Sequence, residues 1–151
     1  MFFLAFNDKF SPLKRRRLGM AFVPEDRLGR GAVPDMTLAE NTLLTSFDSN
    51  LLNKGFVRMK AVASLAKQII AKYKVKTPSE NATAASLSGG NLQKFIIGRE
   101  VEQQPTLLIM AHPTWGVDIG AAILIRHELI KLRDEGCAVL VVSEDIDELY
   151  S

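Results

Sequence analysis

The chain has one cysteine, Cys137, so it holds no internal disulfide, and its fold must rest on packing and hydrogen bonds as in a reducing compartment. Charge of one sign is also missing. Acids and bases nearly cancel to a formal +2, which excludes a global electrostatic case for nucleic acid or an acidic partner. Long apolar runs are absent too. The opening Met1-Phe2-Phe3-Leu4-Ala5-Phe6 stops at Asn7-Asp8-Lys9, too short for a membrane span and without a basic region ahead of it. Aromatic residues make up only 7%, with a single tryptophan, Trp115. What is there is a chain of 151 residues with 47% apolar content, enough for one compact domain or a piece of a larger one.

The dense basic run Lys14-Arg15-Arg16-Arg17 reads as a solvated face beside Ser11-Pro12, in a loop or short helix. Gly19 to Val23 is a short apolar run stopped by Pro24, a strand followed by a turn into Glu25-Asp26-Arg27 and a segment with Gly29, Gly31 and Pro34. Thr37-Leu38-Ala39-Glu40 has the form of a capping box and predicts a helix start. Asp48 to Lys54 is a polar interruption with Gly55 as its stop. From Phe56 to Tyr73 the residues Val62, Leu65, Ala66, Ile69, Ile70 and Tyr73 recur at helical spacing, predicting an amphipathic helix with a core-facing stripe. Lys74 to Ala85 reads as a loop.

Leu87-Ser88-Gly89-Gly90-Asn91-Leu92-Gln93-Lys94 is the stretch with the most chemical content. A serine able to cap and two glycines precede good helix formers, so a tight turn opens a helix whose free N–H groups and positive dipole end suit an anion. That helix runs to about Gln103, packing Leu92, Phe95 and Ile96, and Gln104-Pro105 ends it. Thr106 to Ala111 then reads as a buried strand, 119 to 134 as a helix with Ala122, Ile125, Leu129 and Leu132 on one side and stopped by Gly136, and Ala138 to Val142 as a second buried strand. Cys137, at the head of that strand, reads as a buried, inert thiol. Strand, helix and strand at this spacing form a βαβ unit with parallel neighbours, and a further helix starts at Asp145.

Leu87 to Lys94 resembles the signature motif of ABC transporter ATPases, in the form typical of sugar and nucleoside importers. The resemblance runs from about residue 12 to the end and implies an α/β fold: a partial P-loop-type ATPase core of parallel strands with a crossover helix, plus a helical signature subdomain. It divides the chain into 1–36, a strand and Q-loop-like segment; 37–103, the helical signature subdomain; and 104–151, the later part of the core. Glu25 stands at the Q-loop position, and Glu25-Asp26-Arg27 is similar to the second cassette of two-cassette sugar importers. Ala111-His112-Pro113-Thr114 stands where the Walker B strand ends in Asp-Glu-Pro-Thr. Trp115-Gly116-Val117-Asp118 is similar to the D-loop, with Asp118 at the aspartate that helps organise a partner's site. Trp115 reads as a packing residue, with an interface role as the alternative. Ser143-Glu144 stands at the switch pair, with Glu144 in the histidine's place.

Hydrolysing ATP requires a phosphate cradle, a metal-holding carboxylate, a water-polarising glutamate and a switch histidine. No Gly-x-x-x-x-Gly-Lys-Ser/Thr occurs in these 151 residues. Ala111 offers a methyl group where the metal needs a carboxylate, and His112 an imidazole where the attacking water needs one. The resemblance therefore implies a fragment of a degenerate cassette, inactive alone, in which Ser88, Gly89, Gly90 and Asn91 serve ATP and Mg²⁺ held by a P-loop-bearing partner cassette. Its expected partners are that second cassette, membrane permease subunits and, indirectly, a solute-binding protein, with no nucleic acid. Its expected place is the cytoplasmic face of the membrane. A non-catalytic interaction module that binds a permease or a cassette partner, or a non-functional truncated remnant, is the alternative. No resident metal is expected. His112, Glu144 and Asp145 together could ligate one, but a His–carboxylate pair joining two strand ends is the simpler account. A core lacking its front strands is expected to expose edges and apolar patches.

Overall fold

The computed structural model describes residues 9–46 and 51–144. The apolar opening before residue 9, the start of the polar interruption at Asp48 and the helix expected from Asp145 lie outside the described residues.

Ser11 caps α1, Pro12–Arg17, accepting from the Lys14 N–H, and Pro12 supplies the pre-set φ of a first helical position. The basic run is therefore helical. It is not wholly solvated, because Arg16 reaches the buried Glu100 at 2.9 Å. Gly19, at φ +88, turns the chain into β1, Met20–Val23, and a Cβ there would strike the Thr106 hydroxyl at 2.5 Å. The capping box forms as the sequence predicts. Glu40 accepts from the Thr37 N–H and hydroxyl at 2.8 Å each, Thr37 accepts from the Glu40 N–H at 3.1 Å, and α2 runs Leu38–Ser46.

Leu52–Asn53 (β2) and Phe56–Val57 (β3) form a small antiparallel hairpin turned by Lys54 and Gly55, both at positive φ. The helix expected from Phe56 consequently starts later, as α3, Met59–Lys72. It buries Val62, Ala66 and Ile69, and Tyr73 follows in the same stripe. Gly89–Val101 forms α4, which ends before Gln103 because Gln104 takes a left-handed φ of 50° ahead of Pro105. β4 (Leu107–Ala111), α5 (Ile119–Asp134) and β5 (Ala138–Val142) complete the βαβ unit.

The strands β1, β4 and β5 form one parallel sheet in the order β1-β4-β5, with Met20 beside Leu107 and Ala138 on the other side of Leu107. Only the middle strand is well covered. β5 is not the doubly buried strand the sequence suggests: Leu140 is 45% and Val142 53% exposed, and Phe22 on β1 is 42% exposed. These are the open apolar edges expected of such a sheet.

α4 is the axis of the packing, in contact with β1, α2, α3 and α5. Every residue from Leu92 to Val101 is buried, so Gln93, Lys94, Arg99 and Glu100 are enclosed together with the expected Leu92, Phe95 and Ile96. Each enclosed polar group has a partner. Lys94 Nζ donates to the Lys74 carbonyl at 2.7 Å, and Arg99 donates to the carbonyls of Gly31 (2.8 Å) and Asn41 (3.2 Å) and to Glu100 (3.1 Å). Gly98 lets α3 approach, since a Cβ there would lie 2.5 Å from the Tyr73 ring. No helix among the described residues is long and apolar enough to cross a membrane.

Candidate functional site

The turn before α4 leaves Ser88 and Gly89 exposed and Gly90 and Asn91 half-buried. Ser88 has the extended backbone of an N-cap, but its side chain does not cap the helix. Its Oγ instead accepts from Asn91 Nδ2 at 2.8 Å, while Asn91 Oδ1 accepts from the Lys76 N–H at 2.9 Å. Asn91 Oδ1 and one of its two amide protons are thus committed within the chain. The first-turn N–H groups of α4, which a helix cannot satisfy internally, keep no side-chain cap, and the Ser88 hydroxyl proton remains available to donate.

Asp118 stands beside this turn. Its Oδ1 caps α5 by accepting from the Ala121 N–H at 2.9 Å, and its Oδ2 lies 3.4 Å from where a Cβ on Gly90 would be. Trp115, in the same loop, is 64% exposed, so it is not the packing residue the sequence favours; its ring meets only the edge of His112, at 6.1 Å between centroids. Ser88 to Asn91 and the Trp115–Asp118 loop therefore share one face of the molecule.

Ala111 and His112 sit where β4 ends. His112 takes a left-handed φ of 48°, and its N–H still donates to the Val142 carbonyl at 2.9 Å. The expected pair between His112 and Glu144 is not formed among the described residues. His112 Nδ1 lies 3.4 Å from the Ser143 hydroxyl, and Glu144 is exposed. No cluster of three His, Cys, Asp or Glu suited to a metal occurs among the described residues, and Asp145 lies outside them. With a methyl group at Ala111 and an imidazole turned to a hydroxyl at His112, these residues do not fit Mg²⁺. Glu25 is exposed and helps line a cavity of about 360 Å³ with Pro24, Asp26, Arg99 and Ala111, away from the Ser88 turn.

Sequence reasoning missed Arg27 and Gln93. Arg27 Nε donates to Gln93 Oε1 at 3.0 Å, Arg27 Nη2 donates to the Trp115 carbonyl, and Gln93 Nε2 donates to the Pro113 carbonyl at 3.1 Å. The signal available was an arginine in a loop and a glutamine inside an otherwise apolar helix stripe, and neither specifies a partner.

No family model matches the chain. The nucleoside import ATP-binding protein NupA of Lactococcus lactis is 42% identical over 141 residues, which is 93% of this chain and 28% of that protein. The guanosine import ATP-binding protein NupO of Bacillus subtilis is 41% identical over 147 residues, again 93% and 28%. The ribose import ATP-binding protein RbsA 1 of Rubrobacter xylanophilus is 38% identical over 138 residues, 91% and 28%. The chain thus spans about 28% of the length of these curated relatives. Among solved structures, the dimeric post-hydrolysis state of the ATP-binding cassette MJ0796 bound to ADP and Pi superposes with a TM-score of 0.72 at 21% identity, covering 93% of this chain and 60% of that one. A second dimeric structure of MJ0796, a bacterial ABC transporter cassette, gives 0.73 at 20% identity. At that identity the likeness concerns the fold.

Proposed function

Since this chain belongs to the ABC ATP-binding cassette family, with sugar and nucleoside import ATP-binding proteins as its relatives, we propose that it supplies the signature surface to ATP held by a partner cassette. The observation that carries this reading is the contrast between two places on the chain. The start of α4 presents uncapped N–H groups and the Ser88 hydroxyl at the surface, whereas Ala111 and His112 offer no carboxylate for Mg²⁺.

The backbone of Gly89, Gly90 and Asn91 would direct its N–H groups at the terminal phosphate of the partner's nucleotide, and the glycines allow close approach. Ser88 would add a donor already fixed by the bond from Asn91. Asn91 Oδ1 is taken by the Lys76 N–H and one Nδ2 proton by Ser88, which leaves the second Nδ2 proton as a further donor beside the backbone. Donors fixed before the reaction stabilise developing charge at little reorganisation cost. Asp118, beside Gly90, would border the same joint. ATP and Mg²⁺ are then the partner's substrate and metal, and Ala111, His112 and Glu144 mark this chain's own site as inactive.

In this reading 37–103 is the signature-bearing helical part and 104–151 the later part of the core. The chain meets a second cassette at the Ser88–Asp118 face and permease subunits near Glu25, and so works at the cytoplasmic face of a membrane within a sugar or nucleoside importer, indirectly with a solute-binding protein. A second reading, a binding module for a permease without any ATP role, is favoured by one observation: Leu28, Val33, Met36 and Leu44 leave apolar surface exposed around Glu25.

The test is Mg²⁺-dependent ATP turnover by the pure chain and by mixtures with a P-loop-bearing cassette of the importer type. The expected result is no turnover by the chain alone and stimulation of the cassette that is lost with Ser88→Arg. Turnover by the chain alone, or no stimulation at saturating chain, overturns the proposal, and binding to permease loops in the latter case supports the second reading.

A further inference from the structure

Three segments distant in sequence cross at one guanidinium. Arg27 leaves a turn pinned by the Gly31 N–H to the Asp26 carbonyl (2.9 Å) and the Ala32 N–H to its own carbonyl (2.7 Å). Its side chain then passes between two glycines. A Cβ on Gly89 would lie 2.8 Å from Nη1, and one on Gly116 3.8 Å from Nη2 and 3.9 Å from Nη1. Gly89 opens α4, and its missing Cβ makes the room that the guanidinium fills, while Gly116, in the loop before α5, borders it at ordinary contact distance. Within it Nε is bonded to Gln93 and Nη2 to the Trp115 carbonyl. Gln93, 1% exposed, passes its other end to the Pro113 carbonyl.

The arrangement needs an arginine. A planar fork donates in two directions at once from one rigid group, which the single ammonium of lysine on a flexible stem does not do. Burial lowers the affinity of this guanidinium for its proton relative to solvent, yet arginine stays charged, so a positive charge is held beside the turn at Ser88 and Gly89.

We propose that Arg27 is a positioning residue that locks the Ser88–Asn91 turn and the Trp115–Asp118 loop into one rigid face. The consequence for turnover rests on the reading given under Proposed function: the lock sets how fast a partner's phosphate is served, not how tightly the partner binds. The mechanical part is independent of that reading.

Trp115 is the chain's single tryptophan, and its carbonyl is one of the two acceptors, so its emission reports the lock directly. In the chain alone, Arg27→Met, which keeps the stem, and Arg27→Lys, which keeps the charge, are expected to lower the nanosecond anisotropy of Trp115 while leaving the thermal midpoint near that of the wild type. In mixtures with the P-loop-bearing cassette, both variants are expected to lower the kcat of the stimulated turnover by about tenfold to a hundredfold, with the half-saturating chain concentration unchanged. Unchanged anisotropy in both variants overturns the lock, and so does full rescue by lysine. Where the wild-type chain stimulates, a loss confined to affinity overturns the positioning role. Where it does not, the function reading fails on its own, and the anisotropy alone decides. Should Arg27→Met not fold, Arg27→Lys carries both readouts.

Discussion

Replacing Glu100 by glutamine removes one negative charge from the most deeply buried charged residue in the described structure. The Glu100 side chain is fully buried, with Oε2 2.9 Å from Arg16 Nη1 and Oε1 3.1 Å from Arg99 Nε. Arg99 is itself enclosed, and burial lowers its proton affinity while Glu100 raises it back. Without the carboxylate charge, Arg99 keeps a full charge answered only by carbonyl dipoles, those of Gly31 and Asn41 and the oxygen of the introduced amide. Breaking a buried pair from one side costs about 3–5 kcal/mol. The lower end applies, because Arg16 is 27% exposed and can turn to water, and because two carbonyls still face Arg99. Against a total stability of about 5–15 kcal/mol that is a large share. With a urea slope of about 1–3 kcal/mol/M, the midpoint of Glu100→Gln should fall by roughly 1–3 M. A double-mutant cycle with Arg99→Met should return a coupling of about 1–3 kcal/mol, since the second change removes the charge that the first leaves unanswered. An unfolding free energy within about 0.5 kcal/mol of the wild type, with an additive cycle, would refute the claim that this pair holds α4 in place.

Three further outcomes follow from the described contacts. Gly98→Ala should destabilise the fold by about 1–2 kcal/mol, the overpacking against the Tyr73 ring exceeding the gain in helix propensity, and a thermal midpoint that rises instead would show that α3 can give way. The Thr37 N–H and then its hydroxyl hold the Glu40 carboxyl below its ordinary pKa, so the unfolded chain takes up that proton more readily than the native one. The capping contribution should therefore be whole above the unfolded value and vanish as pH falls through the folded value. The difference in urea midpoint between wild type and Glu40→Gln, followed from neutral pH into acid, should shrink to nothing; a constant difference contradicts this. Burial pushes the Cys137 thiol up, and the residue is 7% exposed, so iodoacetamide should alkylate it slowly in the native chain and quickly in urea. Equal rates in the two states would show that the strand head is open.

Local signals were readable where the partner lies a few residues away. The capping box at Thr37 and Glu40, the βαβ spacing from Leu107 to Val142 and the stripe of α3 all depend on short separations, and all form. The sequence misled where a side chain answers to something distant. Ser88 was a sound cap candidate by type, yet Asn91 claims its oxygen; Phe56 suits a helix by pattern, yet Lys54 and Gly55 turn it into a hairpin. α4 shows the same limit more strongly. The sequence expects Leu92, Phe95 and Ile96 to pack, but four neighbouring elements surround the helix, and Arg99 and Glu100 find partners on segments that no local pattern identifies. Arg27 is invisible for the same reason, since its two acceptors lie on separate stretches of chain.

The sheet order carries a consequence for how the chain assembles. β4 and β5 are joined by one helix and can pair early, but the pairing of Met20–Val23 with Leu107–Met110 closes a loop containing the whole segment from residue 24 to residue 106. The entropy of that closure is spent before its contacts repay it, so the last strand into the sheet should be the first one in sequence. A ribosome that has released β1 must add everything from residue 24 to residue 106 before the strand's neighbour follows. Until then Ala21 and Val23, fully covered at the end, are open to whatever else is near.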